Sequence, residues 1–226
     1  SINRELLPNG FEPVLECARE AGVKAELWVA PSANRHYRDW RQFADMLYDF
    51  HLSYGFENFK IDFVKVRSKE AQDNLENMLR TLRERSEGRI YFNLDTTNGQ
   101  RPGYFMFLEY GHIFLENRYV CHNWGLGYHP DDTLRNLWNL SAYMRPQSLQ
   151  IEFTDPGIIN REFYAQRGGT QPDVYDCSYW AAVAMFANPL VWLAPSLLTE
   201  EIRDIYRKMI KLHLKYRHEI FSGEIF

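Results

Sequence analysis

A lysine and an aspartate, Lys60 and Asp62, stand out because they interrupt an otherwise apolar segment that reads FKIDF. Side chains alternate between the two faces of a strand. We therefore expect Lys60 and Asp62 on one face, opposite Phe59, Ile61 and Phe63. Charged groups on a buried strand are costly unless they are paired or used. This face is thus the first candidate for catalytic chemistry.

The same alternation predicts polar faces on three further strand segments. The side chains assigned to these faces are Tyr91, Asn93 and Asp95, then His112, Phe114 and Glu116, and finally Gln150 and Glu152. The opposite faces carry apolar side chains. Carboxylates that converge in a partly desolvated cavity shift one another's pKa values, which is what acid and base catalysis requires.

The chemistry that this pattern suits is cleavage of a glycosidic bond, which needs one ionised and one protonated carboxyl group. The positive charge of Lys60 favours the ionised form of Asp62, and the aromatic-rich segment around Glu116 favours its protonated form. We therefore predict Asp62 as the nucleophile and Glu116 as the general acid/base. Attack by a carboxylate implies a covalent intermediate and retained stereochemistry.

Strands and helices are predicted to alternate along the chain. Strands are expected at 24–30, 58–63, 90–95, 112–116, 149–153 and 189–193, and helices at 11–21, 39–54, 68–85, 103–110, 131–144, 175–188 and 199–220. This order is typical of a parallel sheet with helices outside it. A doubly wound sheet is less favoured because no glycine-rich phosphate loop follows a strand.

We predict a (β/α)8 TIM-type barrel. Such a barrel needs eight strands and about 250 residues, whereas this chain has 226 residues and six predicted strands. The first two βα units are therefore expected to be missing. We interpret residues 1–226 as one catalytic barrel domain that is a fragment of a longer protein.

Composition and charge narrow the possible partners. The net charge is −4, with 45% hydrophobic and 25% charged residues, which is ordinary for a globular chain and argues against nucleic acid and anionic membranes. No apolar run reaches the length of a membrane span and no signal peptide is visible. We expect a soluble cytoplasmic or periplasmic protein, and an oligomer is compatible with the sequence. The three cysteines and the scattered histidines lack metal-ligand spacing, so we expect neither a metal nor a cofactor.

Aromatic residues make up 15% of the chain, and many fall in predicted loops. Those in loops are Tyr37, Tyr104, Tyr119, Trp124, Tyr128 and Tyr164. They are candidates for a mouth on which sugar rings stack, and the alternative is an ordinary aromatic core. Trp28 stands at the end of a predicted strand, where it belongs either to the core or to a sugar platform.

Two segments, 25–31 (AELWVAP) and 60–62 (KID), resemble in this order the melibiase-type retaining α-galactosidases. In that family a strand reading like GLWIEP precedes the strand whose Lys-x-Asp carries the nucleophile. The resemblance implies that Asp62 is the nucleophile, that Lys60 binds substrate hydroxyls, and that the substrate is an α-galactoside or a related α-glycoside.

Two further segments resemble the family more loosely. Residues 98–101 (NGQR) are similar to its Gly-Gly-x-Arg turn, which implies a substrate-binding role for Arg101. The family acid lies in a Ser-Asp-Asp stretch, and Glu116 occupies that position here. The family strands that carry the galactose-reading aspartates are missing, so the sugar stays open. Asn93, Asp95 and Arg118, near the predicted acids, are further expected substrate ligands.

Each of these roles has a plainer alternative. Lys60 and Asp62 could form a structural ion pair, and Glu116 could pair with Arg118 or Arg101. Asp95 is a rival acid but also suits a turn cap. His112, at the start of its strand, suits a core histidine. The alternative functions are a lyase or aldolase that uses Lys60 as a Schiff base, in which the adjacent carboxylate would disfavour the free amine, and a non-catalytic carbohydrate-binding barrel.

Overall fold

The computed structural model describes residues 4–95, 103–115, 130–153, 174–191, 196 and 198–223. The chain divides into two compact units, Ser1–Ile113 and Phe114–Phe226. The strands are β1 (Glu26–Val29), β2 (Asn58–Ile61), β3 (Tyr91–Leu94), β4 (Gly111–Phe114), β5 (Leu149–Phe153) and β6 (Asn188–Val191). The helices are α1 (Glu12–Glu20), α2 (Trp40–Tyr54), α3 (Lys69–Arg85), α4 (Gly103–Met106), α5 (Pro130–Ser141), α6 (Cys177–Ala184) and α7 (Glu200–Ser222).

The first unit is built on a parallel ladder. Strand β1 pairs with β2, β2 pairs with β3, and β3 pairs with β4, all in parallel. The register sets Trp28 beside Lys60, Lys60 beside Asn93, and Asn93 beside His112. One row of polar and aromatic side chains therefore crosses four neighbouring strands.

The opposite face of this ladder is the core of the first unit. Along each strand, the residues that alternate with the polar row point to this face, and their side chains are at most 1% exposed: Phe59, Ile61, Phe92, Leu94 and Ile113. Removing such apolar surface from water is the main favourable term in folding. The predicted division into an apolar and a polar face is confirmed for the residues that lie within β2, β3 and β4.

The prediction for Phe63 was wrong. Strand β2 ends at Ile61, and the Asp62 N–H extends the ladder by one bond to the Val29 oxygen, at 2.9 Å. Phe63 then adopts a positive φ of 56° and its ring is 59% exposed. The chain leaves the strand at this point, and Val64, 2% exposed, takes the buried position that alternation assigned to Phe63.

The helix ends that precede and follow β2 lie within one residue of the predicted bounds. Gly55 ends α2 with a φ of 75°, a left-handed conformation that glycine adopts at little cost. Ser68 caps α3, because its side chain accepts a hydrogen bond from the Ala71 N–H at 3.1 Å. These two ends fix the lengths of the connections on either side of β2.

Gly111 allows β4 to approach β3. A Cβ atom at this position would lie 1.9 Å from the carbonyl oxygen of Phe92, which is far inside contact distance. Only a residue without a side chain fits there. The pairing that brings His112 beside Asn93 therefore depends on this glycine.

In the second unit, β5 and β6 pair in parallel, and the Leu115 N–H donates to the Gln150 oxygen at 2.9 Å. All five residues of β5 are buried. Helix α6 packs on β5 and on α7 and buries Trp180. Thr199 caps α7, because its hydroxyl accepts from the Ile202 N–H at 3.3 Å.

Within each unit the strand order follows the chain order, from β1 to β4 in the first and from β5 to β6 in the second. The predicted α/β class with parallel strands is thus confirmed. The residues that the structure describes contain six strands, and a closed barrel of eight strands is not among them. None of the helices described is both long enough and apolar enough to cross a bilayer.

Candidate active site

Two carboxyl groups lie side by side at the ends of β2 and β3. Asp62 follows β2 directly, and Asp95 follows β3. The Asp95 N–H donates to the Ile61 oxygen at 2.8 Å, so the parallel register continues through this position. The carboxyl ends of barrel strands are where catalytic groups of α/β barrels sit.

Asp62 is 7% exposed and has several stabilising partners. The Phe63 N–H donates to Oδ1 of Asp62 at 2.7 Å, and the Asp95 and Trp28 side chains also hydrogen-bond to this carboxyl group. Burial alone would raise the pKa of Asp62. These hydrogen bonds and the charge of Lys60 outweigh burial, so the pKa of Asp62 is lowered. The group is an ionised carboxylate at neutral pH.

The hydrogen bond between Asp62 and Asp95 requires a shared proton, because two ionised carboxylates can only accept. Asp95 is half-buried. Its side chain contributes to the lowered pKa of Asp62 as a hydrogen-bond partner.

Lys60 is also buried, at 7% exposed, and its Nζ lies 5.3 Å from the centroid of the Trp28 ring. Trp28 is 61% exposed, and β1 is the first strand in the order of the described sheet. Trp28 therefore does not belong to the core that the described residues form. An exposed indole whose N–H points at Asp62 remains available for contact with a ligand.

Asn93 is 5% exposed and connects this group to Glu26 on β1. Its Nδ2 donates to Glu26 Oε1 at 3.4 Å, whereas its Oδ1 is buried with no hydrogen-bond partner among the described residues. Burial raises the pKa of Glu26, although Asn93 and Lys60 act against this rise. Buried amide oxygens without a hydrogen-bond partner are rare. This oxygen suits a role as acceptor for a hydroxyl or N–H group of a bound ligand.

Sequence reasoning missed Glu26 as a member of this group. As a residue it is exposed at the sheet edge, while its carboxyl group is the part that burial affects. The signal was available, because Glu26 lies two positions before Trp28 on the same strand and alternation assigns both to one face.

His112 completes the row of side chains across the strands. Its ring meets the Tyr91 ring edge-on, with 5.0 Å between centroids. Burial lowers the pKa of His112. The histidine is therefore neutral at pH 7 and packs against its neighbour, as expected for a core histidine.

The remaining predicted site residues lie outside the described residues. They are Arg101, Glu116 and Arg118. Of the six loop aromatics, the structure describes only the side chain of Tyr37, which is 2% exposed and so does not belong to an aromatic mouth. In the part of the chain that the structure describes, no three His, Cys, Asp or Glu side chains form a possible metal site.

The second unit carries its own buried polar pair on β5. Gln150 is 7% exposed and Glu152 is 8% exposed. Their burial agrees with the predicted polar face of this strand. The Gln150 Oε1 is a second buried acceptor that has no hydrogen-bond partner among the described residues.

Neither a protein-family model nor a curated protein sequence matches this chain. Solved structures do share its fold. The GH36 α-galactosidase AgaB from Geobacillus stearothermophilus matches with a TM-score of 0.72 at 15% identity, over 99% of this chain and 35% of that one. An α-galactosidase from Lactobacillus brevis matches with a TM-score of 0.66 at 12% identity, over 96% and 33%. The galactosidase domain of an α-galactosidase-sucrose kinase gives 0.68 at 15% identity, over 99% and 34%.

These comparisons confirm the resemblance found in the sequence, because the structural neighbours are GH36 α-galactosidases. At such low identity the likeness concerns the fold. The chain spans about a third of the length of the enzymes that it matches.

Proposed function

We propose that this chain forms part of the active site of a retaining glycosidase that cleaves α-galactosides or related α-glycosides. One observation carries the proposal: a buried carboxylate, Asp62, is held ionised at the end of a barrel-type strand by hydrogen-bond donors and by Lys60. The neighbours support the substrate class, since their names are those of α-galactosidases and since AgaA variants were solved with raffinose and stachyose.

In the proposed reaction, an Asp62 carboxylate oxygen forms a bond to the anomeric carbon while the glycosidic bond breaks. The leaving oxygen takes its proton from the general acid, which we propose is Glu116. Glu116 then removes a proton from water, the water oxygen attacks the same carbon, and the bond to Asp62 breaks. Two displacements retain the stereochemistry, and such carboxyl groups stand about 5–5.5 Å apart.

The other site residues are proposed to bind the sugar. The Lys60 ammonium donates to sugar hydroxyls, and Oδ1 of Asn93, which has no hydrogen-bond partner among the described residues, accepts from one. The exposed part of Trp28 offers a stacking surface. Asp95, Arg101 and Arg118 are proposed as further ligands. A few placed polar groups on a mostly apolar surface are typical of small-molecule sites.

The Schiff-base alternative is disfavoured by the surroundings of Lys60. The Trp28 ring and the Asp62 carboxylate both stabilise the ammonium form, whereas a Schiff base needs the free amine. A barrel that binds carbohydrate without turnover would use the same aromatic and polar contacts, and the experiment below separates it from a glycosidase.

The test is incubation with a panel of 2-deoxy-2-fluoro glycosides, followed by mass spectrometry and peptide mapping. The proposal expects one covalent label, on Asp62, from the glycoside that carries the matching sugar. Asp62→Ala should abolish the label. Asp73→Asn is the matched control, since Asp73 is an exposed carboxylate on α3 that pairs with Lys69, and it should label like the wild type.

Three results would overturn the proposal. A label on another carboxylate would reject Asp62 as the nucleophile. Saturable sugar binding without any label would indicate the non-catalytic alternative. An adduct at Lys60, trapped by borohydride with a carbonyl substrate, would indicate the lyase.

A further inference from the structure

The loop after β1 contains three consecutive residues with positive φ values. Arg35, His36 and Tyr37 have φ values of 50°, 57° and 60°. Side-chain-bearing residues rarely adopt this left-handed region, and such a cost persists only where surrounding contacts impose it. The contacts that hold this turn are therefore informative.

These contacts tie the turn to the segment that follows Asp62. The Lys65 N–H donates to the Tyr37 hydroxyl at 2.7 Å, and the hydroxyl donates back to the Lys65 oxygen at 3.4 Å. His36 is held at the start of α3, because its Nδ1 lies 2.9 Å from Ser68 Oγ and its oxygen accepts from Asn74 Nδ2 at 2.8 Å. The Tyr37 hydroxyl thus hydrogen-bonds to both the backbone N–H and the backbone oxygen of Lys65, three positions after Asp62.

Phe63 lies between Asp62 and Lys65 and also has a left-handed φ, of 56°. Its ring is 59% exposed, so burial of the ring does not hold the conformation. In this conformation the Phe63 N–H donates to Asp62 Oδ1 at 2.7 Å. Val64 is buried, and Lys65 is fixed by Tyr37.

We infer that Tyr37 is a positioning residue, whose hydroxyl holds the loop after β2 in the conformation that directs the Phe63 N–H to Asp62. The inference rests on the proposed role of Asp62 as the nucleophile. Tyr37 touches no reacting atom in this arrangement. It acts through the backbone of residues 63–65, which keeps one hydrogen bond on the carboxylate.

The chemistry of Tyr37 suits this role. Burial raises the pKa of Tyr37, although the Lys65 backbone and Arg67 act against the rise. The hydroxyl therefore stays protonated at any pH at which the protein would work, and it can donate and accept at the same time. Among the described residues, the charged and titratable groups that face Asp62 itself are Lys60 and Asp95, with the Trp28 indole as a further donor.

The test starts from Tyr37→Phe, which removes only the hydroxyl. The rate at which a 2-deoxy-2-fluoro glycoside labels Asp62 should fall about tenfold, the equivalent of one charge-assisted hydrogen bond. The acid limb of the labelling rate should move to higher pH, because a carboxylate that loses a donor holds its proton more tightly.

A matched pair of second substitutions tests the route of the effect. Phe63→Gly and Phe63→Ala both remove the exposed ring, but only glycine adopts a positive φ without strain. In the Tyr37→Phe background, Phe63→Gly should restore most of the labelling rate and Phe63→Ala should not. Equal effects of the two changes would overturn the inference.

Amide NMR gives a readout that does not need turnover. In the wild type, the Phe63 amide proton should follow the titration of Asp62, and in Tyr37→Phe the midpoint should move to higher pH. An unchanged midpoint would overturn the inference. Absent labelling in every variant, together with the expected NMR shift, would leave the positioning role supported and reject the proposed function.

Discussion

The two faces of β2 and β3 obey the same alternation but are specified in different ways. On one face, Phe59 and Phe92 are completely buried and are interchangeable in kind with other apolar side chains of similar volume. On the other face, Lys60, Asp62 and Asn93 are almost as buried, yet each depends on a particular partner. The comparison teaches that one face is defined by apolar burial and the other by particular polar partners, and the second face is the one to which we assign the proposed chemistry.

The sharpest way to separate the two faces is Asp62→Asn. We expect the rate of glycoside hydrolysis to fall by about 10⁴-fold, as for the loss of other catalytic groups. The free energy of unfolding should change much less than in the core substitution below. Steady-state kinetics and urea unfolding check this, and hydrolysis that stays within tenfold of the wild type would reject the role of Asp62.

The reverse experiment is Phe59→Ala on the apolar face. A fully buried phenylalanine that is truncated to alanine costs about 3–5 kcal/mol of stability, and urea unfolding measures the loss. The pH dependence of the residual activity should match the wild type, because no group that faces Asp62 changes. A loss below about 1 kcal/mol would mean that this face is not the core.

A smaller effect is expected from Asp95, the hydrogen-bond partner of Asp62. Asp95→Ala removes this partner, so kcat/KM should fall by about 10- to 100-fold and its acid limb should move to higher pH. Asp95→Asn keeps an N–H donor and should stay within about tenfold of the wild type. Identical pH profiles for the two variants would contradict a hydrogen-bonding role of Asp95 toward Asp62.

Two substitutions separate the two roles proposed for Trp28, the hydrogen bond to Asp62 and the stacking surface for the sugar. Trp28→Phe keeps an aromatic face but removes the N–H that bonds to Asp62, so we expect mainly a shift of the acid limb to higher pH. Trp28→Ala also removes the stacking surface and should raise KM by about tenfold. If KM is unchanged in Trp28→Ala, the indole is not a sugar platform.

The smallest effect concerns Glu26. Because the pKa of Glu26 is raised in the folded protein, the folded state binds this proton more tightly than the unfolded chain, and ionisation at neutral pH lowers stability. Glu26→Gln should therefore unfold at higher urea than the wild type at pH 7. The difference should vanish below the unfolded pKa of about 4.3, and a difference that is independent of pH would exclude this cause.

Much of the fold could be predicted from the sequence, because the alternation of side chains along a strand depends only on residues that are close together in the chain. Two-residue alternation predicted both faces of the described parts of β2, β3 and β4, and the predicted helices 39–54 and 68–85 match α2 and α3 to within one residue at each end. The prediction that failed was the position at which β2 ends. Alternation has no information on where a ladder stops, so Phe63 was assigned to the core while Val64 fills it.

The site was only partly accessible for a different reason. Lys60 and Asp62 are two residues apart on one strand, and their common face follows from geometry. The contact of Tyr37 with Lys65 and that of Glu26 with Asn93 join residues 28 and 67 positions apart. Such pairs depend on register and loop path, and no local pattern predicts them.

The missing side chain of Gly111 has a consequence for anyone who redesigns this protein. A methyl group there would strike the Phe92 carbonyl, so the strand would have to move away from its neighbour. His112 would move with it, and the row that begins at Trp28 would lose its last member. Gly111, at a position that no ligand is proposed to touch, thus limits which sequences this part of the sheet can accept.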